Sequence, residues 1–237
     1  MSNQATPTPP PVVVAGDGSA WGDAALRWAT AHASLIGAPL EVHPPTSDQV
    51  HDLLLASARA ELVVVAHRGG NRTPFGLSPL VLPLVWHAAC DIVVVRGTPE
   101  ALDGEHHRIT ALVTGDERDD LALARAADLA GRRRAALRVL HAAPPLPVRA
   151  DAPDRPVAHA DQALRGVRHT SVLAPMHPNE ALARYADTDL LVLSDRGLTA
   201  RTALHHSRCP VLIAHRAPSE PGGVRRPTGG RRADAMR

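Results

Sequence analysis

The sequence contains no lysine, so every one of its 26 basic side chains other than histidine is an arginine. This absence excludes chemistry that needs a lysine amine, such as Schiff-base formation and phosphate binding by a Walker A loop. Aromatic residues make up only 2% of the chain, so a core has to be built from Val, Leu and Ala. The two cysteines, Cys90 and Cys209, are too few for a disulfide scaffold and have no neighbouring cysteine for zinc.

Long apolar runs are also missing. No stretch of 18 apolar residues occurs, and the start MSNQATPTPPP lacks the basic and apolar regions of a signal peptide. We therefore expect a cytoplasmic protein without a membrane partner, and a disordered N-terminal segment over residues 1 to 11.

The charge of the chain is concentrated in its tail. The formal net charge is +2, but residues 216 to 237 hold six arginines and two carboxylates, which leaves residues 1 to 215 at −2. This balance argues against specific nucleic-acid binding by the folded part. We expect a disordered basic tail over residues 217 to 237, which is either a solubilising end or a segment that docks on nucleic acid or an acidic partner.

Two internal repeats fix the organisation of the chain. ELVVVAHRG (61 to 69) aligns with DLLVLSDRG (189 to 197), and HAACDIVVV (87 to 95) aligns with HSRCPVLIA (206 to 214). The starts VVVAGD (12 to 17) and ALVTGD (111 to 116) match as well, but at a smaller offset. The first half is therefore shorter than the second between these motifs by about the size of one helix and one strand, and an edge strand is the easiest one to lose.

Each half alternates apolar strands with helical patterns, four strands in the first half and five in the second. Continuous Val, Leu and Ile strands that alternate with helices predict parallel sheets covered on both faces. The fold class predicted is α/β, with two tandem doubly wound parallel-sheet domains.

These motifs resemble the universal stress protein (UspA-like) family in a tandem two-domain form. The resemblance rests on DGS at 17 to 19, on an RG pair after ELVVVA and again after DLLVLS, and on the ending HHSRCPVLIA (205 to 214). It implies a sheet of the HUP type in the strand order 3-2-1-4-5. It covers residues 12 to 98, a shortened first domain, and residues 108 to 216, the second domain, with a linker over 99 to 107.

The resemblance also implies that the two domains pair through their last strands to form an intramolecular pseudo-dimer. Such pairing would cover two apolar edges, DIVVVR and PVLIAH, that otherwise invite aggregation. Antiparallel pairing would place Cys90 and Cys209 at opposite ends, so we expect two buried thiols rather than a disulfide. Further protein partners and homo-oligomers remain open.

In nucleotide-binding members of the family, a glycine loop after the strand that corresponds to ELVVVA surrounds the phosphates, with the pattern GxxG, nine residues, then Gly and Ser or Thr. The matching positions here are Ala66, Gly69, Pro79 and Leu80. Only one glycine remains, and Pro79 has no amide to donate. The candidate nucleotide-binding residues of this degenerate site are Asp17, Gly18, Ser19, Ala66, Arg68, Gly69, Gly70, Asn71 and Arg72.

The second half retains less of the pattern, because the loop itself is the part that it lacks. Ser194 and Gly197 match the first two glycine positions, and Asp116 matches Asp17. Both aspartates are where the family contacts adenosine, but an Asp between a strand and a helix also caps a turn. We expect no nucleotide in the second half.

Three other kinds of chemistry receive weaker support. GDGSAWG (16 to 22) is a variant of the dinucleotide fingerprint, but Asp17 would face the pyrophosphate. The 14 histidines form no metal motif, and no hydrolase motif stands out. The sequence therefore predicts no catalytic residues and no metal site.

The function predicted from the resemblance is that of a non-catalytic universal stress protein with a role in stress response or dormancy, which needs no cofactor and whose nucleotide binding is weak or lost. The alternative is an ATP or AMP sensor, or a slow ATPase, that uses Asp17, Gly69 and the amides of residues 70 to 73.

Overall fold

The computed structural model describes residues 9–69, 76–144 and 154–215. In the first half, strands and helices alternate as β1 Val12–Ala15, α1 Ala20–Ile36, β2 Leu40–His43, α2 Gln49–Ser57, β3 Leu62–Ala66, α3 Val81–His87 and β4 Asp91–Val95. A short helix, α4 Pro99–Asp103, leads into the second half. The second half consists of β5 Arg108–Val113, α5 Asp119–Arg133, β6 Ala136–Ala142, α6 Arg155–Ala163, β7 His169–Ala174, α7 Pro178–Arg184, β8 Leu190–Leu193, α8 Leu198–His206 and β9 Val211–Ile213.

The longest helix of the first half, α1, has chemical signals at both ends. The Ser19 side chain accepts a hydrogen bond from the amide of Gly22, which satisfies one of the free amides of the first turn. Gly37 ends the helix in the left-handed conformation, with φ of 68°, where glycine carries no Cβ penalty. These two residues orient α1 so that it begins beside Asp17.

The nine strands of the described residues form one sheet in the order β2-β1-β3-β4-β9-β8-β5-β6-β7. Neighbouring strands are parallel within each half, whereas β4 and β9 pair antiparallel with Val93 opposite Leu212. The second half has the complete order 3-2-1-4-5, and the described part of the first half has the same order without the strand beyond β2. The predicted α/β fold class is thus confirmed.

Two aliphatic layers cover the faces of the sheet. One face is covered by α1, α5 and α6, and the other by α2, α3, α7 and α8. The strands contribute residues that are almost completely buried, such as Val64 and Val192. Since each strand is buried on both faces, its sequence is continuously apolar rather than alternating.

The segment that the sequence predicts as a linker, 99 to 107, contains α4. Thr98 caps this helix by accepting a hydrogen bond from the amide of Ala101, and Pro99 occupies its first turn, where a missing N–H costs nothing. Gly104 ends it in the left-handed conformation. The connection between the halves is therefore a structured turn and not an extended tether.

Both cysteines are buried thiols, as predicted. Each precedes one of the paired strands, Cys90 before β4 and Cys209 before β9, and the strands run in opposite directions. Burial raises the pKa of the Cys209 thiol to about 12, so this side chain is a neutral packing group.

Candidate nucleotide-binding pockets

The carboxyl ends of β1 and β3 meet at a pocket of about 620 Å³ in the first half. Its lining residues come from the end of β1, the start of α2 and the turn before α3: Asp17, Thr46, Ser47, Asp48, Gln49, Val50, Gly69, Ser78, Pro79 and Leu80. This is the edge of a doubly wound sheet where ligands usually bind. The structure thus brings the two central predicted residues, Asp17 and Gly69, into one pocket.

Asp17 is engaged in its own turn. Its Oδ1 accepts hydrogen bonds from the amide and the hydroxyl of Ser19, at 2.9 and 2.7 Å. The same oxygen lies so close to Gly22 that a Cβ there would overlap it. Gly18, between the two residues, has a φ of 66° and is exposed. Asp17 therefore performs the turn-capping role that the sequence leaves open, while its Oδ2 faces Gly69.

Gly69 is close to Asp17 because it has no side chain. A Cβ at this position would lie 3.4 Å from Asp17 Oδ2 and 3.8 Å from Ser78 Oγ. Any larger side chain here would extend into the pocket. Of the other predicted residues, Ala66 is buried at the end of β3, Arg68 is exposed, and Gly70, Asn71 and Arg72 lie outside the described residues.

The turn before α3 replaces the glycine and hydroxyl that the family pattern has at that point. Ser78 is buried, its amide donates to the carbonyl of His67 at 2.7 Å, and its Oγ accepts a long hydrogen bond of 3.4 Å from the amide of Leu80. Pro79 stands exposed between them without an N–H. The amides of Ser78 and Leu80 thus already donate to other atoms of the protein, and Pro79 has no amide hydrogen to donate.

His67, two residues before Gly69 in the chain, packs against an aromatic ring of α1. His67, directly after β3, packs edge-on against Trp21 of α1 with 4.2 Å between ring centroids, and its Nδ1 lies 3.2 Å from the carbonyl oxygen of Val95. Burial lowers the pKa of His67 to about 4, and the nearby Arg96 and Arg68 contribute in the same direction. The ring is therefore neutral at neutral pH and offers no positive charge to a phosphate.

In the second half, a carboxylate of the chain itself occupies the end of β5. The buried Asp119 accepts hydrogen bonds from the amides of Thr114 and Gly115, the latter at 2.7 Å. Burial raises the pKa of this carboxyl group, although these two amides oppose that shift. The corresponding residue of the first half is Ala20. The sequence shows this difference between the halves, but it does not show that the Asp119 carboxylate binds these amides.

A second carboxylate occupies the start of α8. Asp195 accepts hydrogen bonds from the amides of Gly197 at 2.8 Å and of Ala200 at 3.2 Å. These are the amides that a helix N-terminus would present to an anion. The predicted residues Ser194 and Gly197 flank it: Gly197 is exposed, and the buried Ser194 hydroxyl has no hydrogen-bond partner among the described residues.

Asp116 is on the surface of its turn. Its Oδ1 accepts a hydrogen bond from the amide of Arg118 at 2.8 Å, which repeats the arrangement of Asp17 with Ser19. Asp116 is exposed, whereas Asp17 is partly buried beside Gly69. The two matched aspartates thus make the same contact in their own turns, but Asp17 lines a pocket and Asp116 lies on the surface.

The described ranges contain neither a metal-binding cluster nor a membrane-spanning helix. Within them, no group of three or more His, Cys, Asp or Glu side chains is arranged to hold a metal ion. None of the helices in the described part of the chain has the length and apolar character needed to span a bilayer.

Comparison with solved structures identifies the class of fold. A universal stress protein from Archaeoglobus fulgidus DSM 4304 superimposes with a TM-score of 0.67 at 13% identity, over 89% of this chain and 97% of that one. At this identity the likeness shows a shared fold, so the chain has the fold of universal stress proteins, as the sequence motifs predicted.

Two further solved structures are similar at lower TM-scores. One is a candidate universal stress protein from Pseudomonas aeruginosa UCBPP-PA14, with a TM-score of 0.49 and 18% identity over 86% of this chain and 81% of that one. The other is a universal stress protein from Archaeoglobus fulgidus in complex with dAMP, with a TM-score of 0.40 and 21% identity over 46% of this chain and 96% of that one. No protein-family model and no curated protein matches the sequence.

Proposed function

We propose that this chain is a non-catalytic protein of the universal stress type, which acts in stress response or dormancy through protein partners and does not depend on a bound nucleotide. The observation that carries this proposal is that the second half satisfies its anion-binding amides with its own Asp119 and Asp195. A cytoplasmic location belongs to the same proposal and rests on the sequence.

The second-half argument is electrostatic. A phosphate at the end of β5 would have to displace the Asp119 carboxylate from two amides, or lie beside it with like charge. At about 4 Å, two unit charges of the same sign repel by roughly 4 kcal/mol at an effective dielectric constant of 20. Asp195 adds a second negative charge at the start of α8. Together these residues support the prediction that the second half does not bind nucleotide.

The first-half argument is a loss of donors. The turn at Ser78, Pro79 and Leu80 presents one proline and two internally bonded amides to the pocket, and His67 is neutral. A triphosphate needs several N–H donors around its oxygens. The described part of the pocket supplies few of them.

The alternative is an adenine-nucleotide sensor or slow ATPase in the first half, with ATP or AMP as the ligand. A specific observation favours it: the pocket beside Asp17 is open, has the size of a small-molecule site, and carries polar side chains from Thr46, Ser47 and Gln49. Asp17 would then contact the nucleoside, with Gly69 next to the phosphates.

Calorimetric titration of the purified full chain with ATP and with AMP separates these two functions. The non-catalytic proposal predicts no binding in the micromolar range to the wild type. Micromolar binding that Gly69→Trp abolishes would establish the sensor instead, because a side chain at this position extends toward Asp17. Leu55→Trp is the matched control, since Leu55 is 62% exposed on α2 and contributes nothing to the pocket lining.

The pairing of β4 with β9 supports a second part of the proposal. We infer that this contact joins the two halves as an internal pseudo-dimer, so that no second copy of the chain is needed to cover either strand. Light scattering coupled to size-exclusion chromatography should give the mass of one chain, 25.1 kDa. A dimer mass that is independent of concentration would contradict this part.

A further inference from the structure

A second cleft of about 620 Å³ lies between the halves and shares no lining residue with the first-half pocket. It is bounded by α1 of the first half, by the α4 turn and by the end of α5. The residues that matter for its chemistry are Arg27 and Trp28 on α1, His107 before β5, and Arg132, Arg133 and Arg134 at the end of α5.

Three of the four arginines in this cleft form no direct ion pair among the described residues. Arg132 pairs with Asp128 at 2.9 Å, one turn earlier on α5. Across the described ranges, no side-chain hydrogen bond or salt bridge is found for Arg27, Arg133 or Arg134. Arginines of both halves therefore line one cleft, and they outnumber the carboxylates of its lining.

The two acidic residues of the lining do not change this balance. Asp189 is buried and accepts hydrogen bonds from the amides of His106 at 2.9 Å and Arg108 at 3.2 Å, so its carboxylate is held by the backbone before β5. Asp103 is the last residue of α4. The lining thus contains four guanidinium groups and two carboxylates, and one of these carboxylates already accepts hydrogen bonds from two backbone amides.

Trp28 holds one of these arginines in place. The Arg133 guanidinium lies 5.1 Å from the centre of the Trp28 ring, and His32 stacks on the same indole at 5.0 Å. Burial lowers the pKa of Arg133, with Asp189 opposing that shift. A partly desolvated guanidinium without a direct ion pair is costly, and a bound anion would offset that cost.

Backbone strain is found at the same cleft. The only non-glycine residues with positive φ in the described ranges are His107, at 49°, and Arg134, at 53°, and both line it. Arg134 occupies the left-handed C-cap of α5, a position that glycine usually fills. The left-handed conformation is unfavourable for a residue that carries a Cβ atom.

Helix-dipole stabilisation explains part of this arrangement but not all of it. Basic residues at the end of α5 interact favourably with the carbonyls there. That reason does not apply to Arg27, which stands in the middle of α1 in the other half and lines the same cleft. An anion bound between the two halves would explain both Arg27 on α1 and the basic residues at the end of α5.

We propose that this cleft binds a small phosphate-bearing anion, held between Arg27 of the first half and Arg133 and Arg134 of the second. Arginine provides planar pairs of N–H donors that match two phosphate oxygens at once. The volume corresponds to a small molecule rather than to a macromolecular surface. Because both halves contribute, binding would also stabilise their relative position.

Inorganic pyrophosphate is the probe, titrated into the full chain by calorimetry with chloride adjusted to keep the ionic strength constant. We expect saturable binding of one pyrophosphate per chain. Arg27→Ala and Arg134→Gly should each weaken it about tenfold, the loss of one charge-assisted contact of about 1.4 kcal/mol. Arg134→Gly is the sharper variant, because glycine suits the left-handed conformation and should not lower the Tm.

Two controls separate this site from others. Arg165→Ala removes an exposed arginine outside the cleft and should leave the affinity unchanged. Gly69→Trp blocks the first-half pocket and should also leave it unchanged, which distinguishes the two sites. The absence of saturable binding to the wild type, or wild-type affinity in both Arg27→Ala and Arg134→Gly, would overturn the proposal.

Discussion

The carboxylate of Asp91 lies 2.5 Å from the Nε atom of Arg125, and this ion pair joins the two halves of the chain. Asp91 is the first residue of β4 and is 1% exposed, while Arg125 belongs to α5. Asp91 also accepts a hydrogen bond from the amide of His215 at 2.8 Å, and Arg125 contacts Glu61 at 3.1 Å. The halves are therefore connected by buried charge as well as by β4 and β9.

We predict that Asp91→Ala lowers the free energy of unfolding by about 3 kcal/mol, because it leaves the Arg125 charge buried with one partner removed. Urea denaturation measures this loss. Asp128→Ala is the control, since it removes a partly exposed pair between neighbouring turns of α5 and should cost about 0.5–1 kcal/mol. Equal losses in the two variants would show that the buried pair does not stabilise the contact between the halves.

Gly97 is predicted to be intolerant of any side chain. Its φ is 110°, and a Cβ there would overlap the backbone of Arg208, whose carbonyl oxygen accepts the amide of Thr98 at 3.0 Å. Gly97→Ala should therefore lower the free energy of unfolding by about 2 kcal/mol or more. Gly131→Ala on α5 has open space around it and should raise stability by roughly 0.5–1 kcal/mol. A neutral Gly97→Ala would contradict this close approach of the halves.

The free energy of unfolding should decrease as the pH is lowered, because of a buried histidine. Burial lowers the pKa of His32 to about 3, with Arg133, Arg125 and Arg132 contributing in the same direction. Below pH 6.5 the unfolded chain binds a proton at this position that the folded chain does not bind. Stability is thus lost as the pH falls from about 6.5 toward 3, by up to about 1.4 kcal/mol per pH unit.

His32→Leu tests this dependence. The variant should show a shallower decline of the free energy of unfolding between pH 6.5 and 4.5 than the wild type, measured by urea denaturation at each pH. His51→Leu, an exposed change on α2, should retain the wild-type slope. If all three slopes coincide, His32 does not titrate on unfolding as argued.

Asp119 should stabilise the second half through its two amide contacts. Asp119→Ala leaves the amides of Thr114 and Gly115 without an acceptor and should cost about 1–3 kcal/mol. Asp119→Asn keeps one acceptor oxygen and should recover a large part of the loss. Glu117→Ala, an exposed change in the same turn, should lie within about 0.5 kcal/mol of the wild type. No difference between Asp119→Ala and Glu117→Ala would remove the structural role assigned to this carboxylate.

The fold could be predicted from the sequence because its signals are local and repeated. The two RG motifs, the DGS turn and the continuously apolar strands determine the number of strands, and Ser19 and Gly37 mark the ends of α1. The shortening of the first half by one helix and one strand stays a prediction from the offsets between the repeated motifs. The helix at Pro99 is not among the elements predicted from the sequence, which assigns this segment to a linker. Thr98, Pro99 and Gly104 are nevertheless ordinary helix boundary residues.

The sites were less predictable because they depend on distant contacts. Asp119 and Asp195 differ from Ala20 and His67 at the matching places of the first half, but only the structure shows which amides they hold. The ion pair of Asp91 with Arg125 and the cleft around Arg133 arise where helices of different halves meet. Local sequence patterns do not indicate which side chains of the two halves meet in the folded chain.

Crystals of the full chain soaked with ATP test the central claim most directly, because each pocket can be inspected separately. The account predicts no nucleotide in the second half, with Asp119 and Asp195 still on their backbone amides, and no ordered triphosphate beside Asp17 and Gly69. Well-occupied ATP in both pockets, with the two carboxylates displaced from those amides, would contradict it.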